Sequence, residues 1–256
     1  MLHHTISGHG SHSIVLLHGF CENNTCFNKQ VLLLKDQFQV ICIDLPGFGE
    51  SSDLDATSME QMADLVYATL KTIGVQQGVM VGHSMGGYVT LAFAKKYPNS
   101  LKGFCLLHST ATADSDERKQ KREQAIAFIE QNGHEAYVKA FIPPLFASNY
   151  PNQTDISDAI LQGLRTSPKG LIQALHAMKQ REDSVDFIKQ SLVPIMYMIG
   201  SHDNLIPSMD LLKQVAVLRH GKLIMLEQSG HMGMIEEPEK CAHAIADFAH
   251  YCLGIS

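Results

Sequence analysis

The chain has no tryptophan, only 18% charged residues and no surplus of positive charge. Its 20 Lys+Arg stand against 26 Asp+Glu, a net charge of −6, so no basic field exists to hold nucleic acid or an anionic membrane surface. Long apolar runs are missing too. Residues 192–199 form a short run broken by Pro194, whereas a membrane helix needs about 20 consecutive apolar residues. The N-terminus, Met1-Leu-His-His-Thr-Ile, has no Lys or Arg ahead of an apolar stretch and does not read as a secretory signal. The expectation is a cytoplasmic protein with no nucleic-acid or membrane partner, present as a monomer or homodimer.

Metal-binding patterns are also absent. The six cysteines (Cys21, Cys26, Cys42, Cys105, Cys241 and Cys252) contain no Cys-x-x-Cys, and the 14 histidines contain no His-Glu-x-x-His. No bound metal is expected. Cys42 and Cys105 fall inside apolar runs, where a reduced thiol behaves as a small hydrophobe, and the set reads as free thiols rather than a disulfide framework.

What is present is alternation. Residues 13–17, 40–43, 79–81, 103–107, 194–199 and 223–226 are short apolar runs ending in polar, Gly or Pro residues, and read as buried strands. Between and after them, residues 59–73, 85–97, 208–218 and 238–252 have helical character. In the last, Cys241, Ile245, Phe248 and Cys252 recur at spacings of four, three and four, marking one buried face. Strands alternating with helices predict an α/β fold: a mostly parallel central sheet with helices on both faces. With 256 residues, one core plus an insertion fits the length. Residues 112–192 break the alternation, with helical patterns split by Pro143-Pro144, Pro151 and Pro168. This stretch opens with the charge-dense residues 114–123, which read as a solvated helix face.

Gly82-His83-Ser84-Met85-Gly86 fits Gly-x-Ser-x-Gly. About 0.1 chance matches are expected in such a chain, and here the motif follows a strand and opens a helix, where a nucleophile elbow belongs. A serine there projects its hydroxyl above the sheet edge, and the new helix aims its N-terminal amides at any anion forming beside it. A hydroxyl also needs a base. Asp203 falls in the loop after strand 194–199 and His231 in the loop after 223–226. In a parallel sheet those strand ends share one edge. His231 would take the proton from Ser84, and Asp203 would hold the imidazole and stabilise its charged form.

Together with His18-Gly19-Phe20 and Asp44-Leu-Pro-Gly-Phe-Gly-Glu-Ser51, these motifs make the chain resemble the α/β-hydrolase superfamily over nearly its whole length. The resemblance implies a core of residues 1–111 and 193–256, with 112–192 as a helical cap inserted between strands six and seven. It implies an oxyanion hole from the backbone N–H groups of Phe20 and Met85, and no cofactor. His18 and Asp44 are expected to brace loops, and His83 and His202 to be structural. Cys21, Phe141, Leu145, Phe146 and Met232 are candidates to line the substrate pocket.

Serine at the elbow separates the chain from relatives that use an aspartate nucleophile. The absence of Trp agrees, because the dehalogenases of this superfamily resemble one another in binding halide with Trp. The expected activity is a carboxylesterase-type serine hydrolase acting on a small, partly apolar ester or thioester through an acyl-enzyme. Two alternatives remain: a cofactor-free C–C hydrolase or lyase using the same three residues, and a non-catalytic ligand receptor on this fold.

Overall fold

The computed structural model describes residues 1–255. Seven strands form one sheet: β1 (His4–Ser7), β2 (Ser13–Leu17), β3 (Gln39–Ile43), β4 (Gly78–His83), β5 (Leu101–Leu107), β6 (Ile195–Gly200) and β7 (Gly221–Leu226), in the order β1-β3-β2-β4-β5-β6-β7. Every pair is parallel except β1 with β3. β2 and β4 are buried along their whole length, as continuous apolar runs must be when both sheet faces are covered. The sequence reading found six of the strands and missed β1. Its His-Thr-Ile-Ser stretch has no apolar run, and it lies half-exposed at the sheet edge.

The helices are α1 (Asn28–Leu34), α2 (Met59–Thr72), α3 (Met85–Lys96), α4 (Asp116–Asn132), α5 (His134–Phe141), α6 (Gln153–Gly163), α7 (Pro168–Gln180), α8 (Val185–Gln190), α9 (Ser208–Val215), α10 (Gly233–Glu236) and α11 (Pro238–Leu253). α3 packs on β2, β4 and β5 with α2 beside it, while α11 packs on β4, β5 and β7 with α1 beside it. α1 and α10 were not foreseen; both are short. The helical stretch α4–α8 lies between β5 and β6. In this chain's own count it therefore follows the fifth strand, not the sixth, because a single edge strand precedes the parallel run.

Register fixes where loops meet. Leu17 pairs with both Ile43 and Gly82, His83 with Leu107, Leu107 with Met198, and Gly200 with Leu226. The C-terminal ends of β2 to β5 therefore lie within one residue of register and β6 and β7 run two residues further, so the segments that follow them open along one edge. Two glycines let strand and helix close up there. A Cβ on Gly82 would stand 2.3 Å from the Gly86 carbonyl oxygen, and one on Gly86 would stand 2.2 Å from the Leu17 carbonyl oxygen. Both contacts are with backbone, which cannot swing aside. Gly86→Ala is expected to cost about 1–3 kcal/mol through overpacking, a fall of roughly 3–10 °C in Tm for a domain of this size. An unchanged Tm in thermal denaturation would contradict this close approach.

Candidate active site

Ser84 sits between β4 and α3 with φ 48° and ψ −112°, a conformation that a residue with a side chain rarely adopts and that surrounding contacts must impose. Its N–H donates to the Leu107 carbonyl at 2.9 Å, and its carbonyl accepts from the Gly87 N–H at 2.9 Å and the Ser109 hydroxyl at 2.8 Å. Cys21 and His108, each just after the end of a neighbouring strand, are the other non-glycine residues of positive φ.

His231 and Asp203 meet as the sequence order suggests. The His231 Nδ1–H donates to Asp203 Oδ2 at 2.8 Å, and Asp203 Oδ1 accepts the Leu205 and Ile206 amides at 2.9 Å each. Burial pushes the Asp203 carboxyl up, but the rings of His231 and His108 outweigh it and hold the group well below the usual carboxylate range. The His231 backbone N–H donates to the Leu145 carbonyl at 2.6 Å. That leaves His231 Nε2, which is buried and has no hydrogen-bond partner among the described residues. Such an atom is costly unless something fills it.

Two further partners brace this pair; His83 among them was expected to be structural, while Glu22 and His108 escaped the sequence reading. His108 follows β5, and its Nε2 accepts the Gly233 N–H at 3.2 Å. The proton therefore resides on Nδ1, which lies 3.4 Å from Asp203 Oδ2. Burial lowers the His108 pKa to about 4, so the ring is neutral at pH 7. The second partner is a buried strut of Glu22 and His83. His83 Nδ1 lies 2.9 Å from Glu22 Oε2, and its Nε2 lies 2.9 Å from the His231 carbonyl oxygen. Glu22 Oε2 also accepts the Gly19 N–H at 2.7 Å. Carbonyl and carboxylate only accept, so both ring nitrogens carry protons and His83 is an imidazolium. Burial alone would lower the His83 pKa, yet Glu22 raises it, and Glu22 is lowered in turn. The strut ties the loop after β2, the Ser84 turn and the His231 loop into one unit. Residue type and position at a strand's C-terminal end were the available signals: His83 and His108 both stand there.

The expected loop braces are in place. His18 Nε2 accepts the Leu45 N–H at 2.9 Å, so its Nδ1–H donates to the Gly19 carbonyl at 2.8 Å. Asp44 accepts from the Asn24 and Glu50 amides at 2.7 and 3.0 Å and contacts His3 Nδ1 at 2.8 Å. His202 is exposed. The amides of Phe20 and Met85, expected oxyanion donors, find no acceptor among the described residues. His108, Asp203 and His231 also present metal-ligand atoms within 4.8 Å of one another, but a cation there would replace the hydrogen bond between His231 and Asp203.

A cleft of about 390 Å³ opens over Ser84, with Phe20 and Tyr88 in its walls. Of the five expected pocket residues, Phe141 lines it; Cys21, Leu145, Phe146 and Met232 do not. Leu145 and Phe146 lie at the turn after Pro143-Pro144, where Phe146 stacks on Tyr150 and the Leu145 carbonyl holds the His231 loop. Met232 is 1% exposed. Cys21 is buried as well, and burial pushes its thiol well above the ordinary value, so it is a poor nucleophile. The unforeseen lining comes from α4, α5, α7 and residues 204–207. In particular, residues 114–123 are not simply solvated: Arg118, Lys121 and Arg122 face the cleft, and Asp114 is buried against Arg122 and Arg181.

The pair of Glu22 and His83 is stabilising where Glu22 is ionised and His83 protonated. Its contribution is complete above the ordinary Glu value and below the ordinary His value, and is lost as pH falls through the lowered Glu22 pKa or rises through the raised His83 pKa. Glu22→Gln leaves a buried imidazole without its counter-charge and is expected to cost about 3 kcal/mol in denaturant unfolding at neutral pH. A loss below about 1 kcal/mol would contradict the ion pair.

A family model described as alpha/beta hydrolase fold matches residues 12–238. The chain is 27% identical to a pimeloyl-acyl-carrier-protein methyl ester esterase of Vibrio vulnificus, covering 97% of this chain and 98% of that protein. It is 28% identical to YugF, an uncharacterized hydrolase of Bacillus subtilis, over 93% and 90% of the two chains. Among solved structures, a thermophilic esterase from Thermogutta terrifontis with malate bound superposes with a TM-score of 0.93 at 29% identity, covering 98% of this chain and 93% of that one. No helix among the described residues is long and apolar enough to cross a membrane.

Proposed function

The chain belongs to the alpha/beta hydrolase fold family, and from that premise we propose that it is a serine hydrolase cleaving carboxylic esters or thioesters of small molecules through an acyl-enzyme. The observation that carries the reading is His231 Nε2. It is a buried ring nitrogen without a protein partner, backed at 2.8 Å by an ionised carboxylate, on the sheet edge that bears Ser84. Because Nδ1 holds the proton bonded to Asp203, Nε2 has a free lone pair and can act as a base.

Ser84 Oγ attacks the ester carbonyl and gives its proton to His231 Nε2, and Asp203 stabilises the imidazolium that forms. The oxyanion is received by the amides of Phe20 and Met85, each supplying roughly 3 kcal/mol. Met85 is the first residue of α3, so the helix's positive end adds to the same field. The alcohol or thiol leaves with the proton from His231, and water then attacks the acyl-enzyme with the same base. Residues 112–192 act as a cap over this centre, on a core made of residues 1–111 and 193–256. Ester hydrolysis agrees with the esterases among the relatives.

Ser84→Ala is expected to lower kcat toward short p-nitrophenyl esters on the order of 10⁶-fold while unfolding at an unchanged denaturant midpoint. Equal activity in the variant and the native enzyme would overturn the assignment.

A further inference from the structure

The cleft above Ser84 is lined by residues of two unlike kinds. One kind is apolar: Ala125, Tyr137, Phe141, Leu175 and Met178. The other is a charged face of α4, where Arg118, Lys121 and Arg122 stand against a single acid, Glu117. The sign is opposite to that of the chain as a whole, whose net charge is −6. It is therefore a local feature of the cleft, within a Debye length of about 8 Å.

The cations are unevenly compensated. Arg122 donates from Nε and Nη2 to Asp114, and Arg181 Nη1 lies 2.7 Å from the same carboxylate. The three side chains are 17%, 5% and 0% exposed for Arg122, Arg181 and Asp114. Two guanidiniums thus share one carboxylate in the interior, leaving one positive charge without a counter-ion. Arg181 is held in place by the Met178 and Thr112 carbonyls, both at 2.8 Å, and over the Tyr88 ring at 3.9 Å. Arg122 is the member that reaches the cleft. Arg118 donates to the Leu205 carbonyl at 2.8 Å and forms no ion pair among the described residues. Its contact with Leu205 fixes it beside the loop that carries Asp203. Lys121 pairs only with Glu117, at 2.7 Å one helical turn away, an exposed contact worth a few tenths of a kcal/mol.

We propose that the substrate of this site carries a second, anionic group, a carboxylate or a phosphate, which Arg118 and Arg122 bind while Ser84 attacks the ester. The proposal rests on the serine-hydrolase reading above. A planar guanidinium fork matches either anion, and an arriving anion supplies the counter-charge that the buried cluster lacks. The apolar residues of the same cleft suit a short methylene spacer. At about 390 Å³ the cleft lies near the small end of ligand sites. The substrate class is accordingly an ester of a short acid bearing a terminal carboxylate or phosphate.

The test compares kcat/KM for monomethyl adipate, methyl 6-phosphonooxyhexanoate and the uncharged methyl hexanoate. One of the two anionic esters is expected to exceed methyl hexanoate at least tenfold, and the larger value identifies the bound group. Arg118→Gln is expected to shrink that ratio at least fivefold through KM, with Arg118→Lys between the two. Arg118 is on the cleft wall and not in the buried cluster, so its loss should leave the fold intact. Calorimetric titration of Ser84→Ala with adipate and with 6-phosphonooxyhexanoate reads the same contact without turnover, and adding Arg118→Gln should weaken it by a similar factor. Equal rates on charged and uncharged esters, with neither anion bound by Ser84→Ala, would overturn the anion subsite and leave the hydrolase reading standing. If an anion binds and Arg118→Gln abolishes that binding, but no ester is turned over, the subsite is supported and the hydrolase reading is the one that fails.

Discussion

Everything at the candidate site depends on the parallel register of the sheet. Leu17, Ile43, His83, Leu107, Gly200 and Leu226 end their parallel strands within three residues of one another in register. The residues that follow are therefore delivered to one edge whatever their separation in sequence. That edge is closed by helices, and its polar groups are buried. His18, Asp44, His83, His108, Asp203 and His231 are each 9% exposed or less. Burial of so many polar side chains is tolerable only because nearly all are paired. The pairing is also what orients them: Asp203 faces His231, His108 faces Asp203, and Glu22 with His83 fixes the backbone on which His231 is carried.

Inside such a network two ring nitrogens lack a hydrogen bond among the described residues. His108 Nδ1 still faces the Asp203 carboxylate at 3.4 Å, whereas His231 Nε2 has no protein partner, although every other contact of that residue is satisfied. The strained backbone of Ser84 is a second departure from the local optimum, held by three hydrogen bonds to its own peptide groups. Two costs at one place are what a reactive centre would be expected to impose on its fold.

Much of this was legible in the sequence. The six parallel strands, the Ser84 turn between strand and helix, and the order of Ser84, Asp203 and His231 follow from apolar runs and their punctuation. Edge strand β1 was not, because a half-exposed strand of polar residues carries no apolar signal. Glu22 and His108 were missed for a different reason. Their roles are defined by partners 61 and 95 positions away in sequence, His83 and Asp203, and no local pattern encodes those pairs. The same holds for α4. Eight charges in the ten residues 114–123 read as a solvated face, and part of it is solvated, but Arg181 on the far side of the insertion draws Asp114 inward, and Asp114 in turn holds Arg122. Leu145 and Phe146 are absent from the cleft lining; the turn after Pro143-Pro144 sets the Leu145 carbonyl on the His231 N–H and stacks the Phe146 ring on Tyr150. Apolarity alone does not say which side of a turn a residue faces.

Activation of Ser84 as a nucleophile by His231 is read most directly by treating the protein with a fluorophosphonate and mapping the adduct by peptide mass spectrometry. One stoichiometric adduct is expected, on Ser84, formed at least a thousandfold more slowly in His231→Ala. Labelling at another residue, or equal labelling of Ser84 with and without His231, would contradict it.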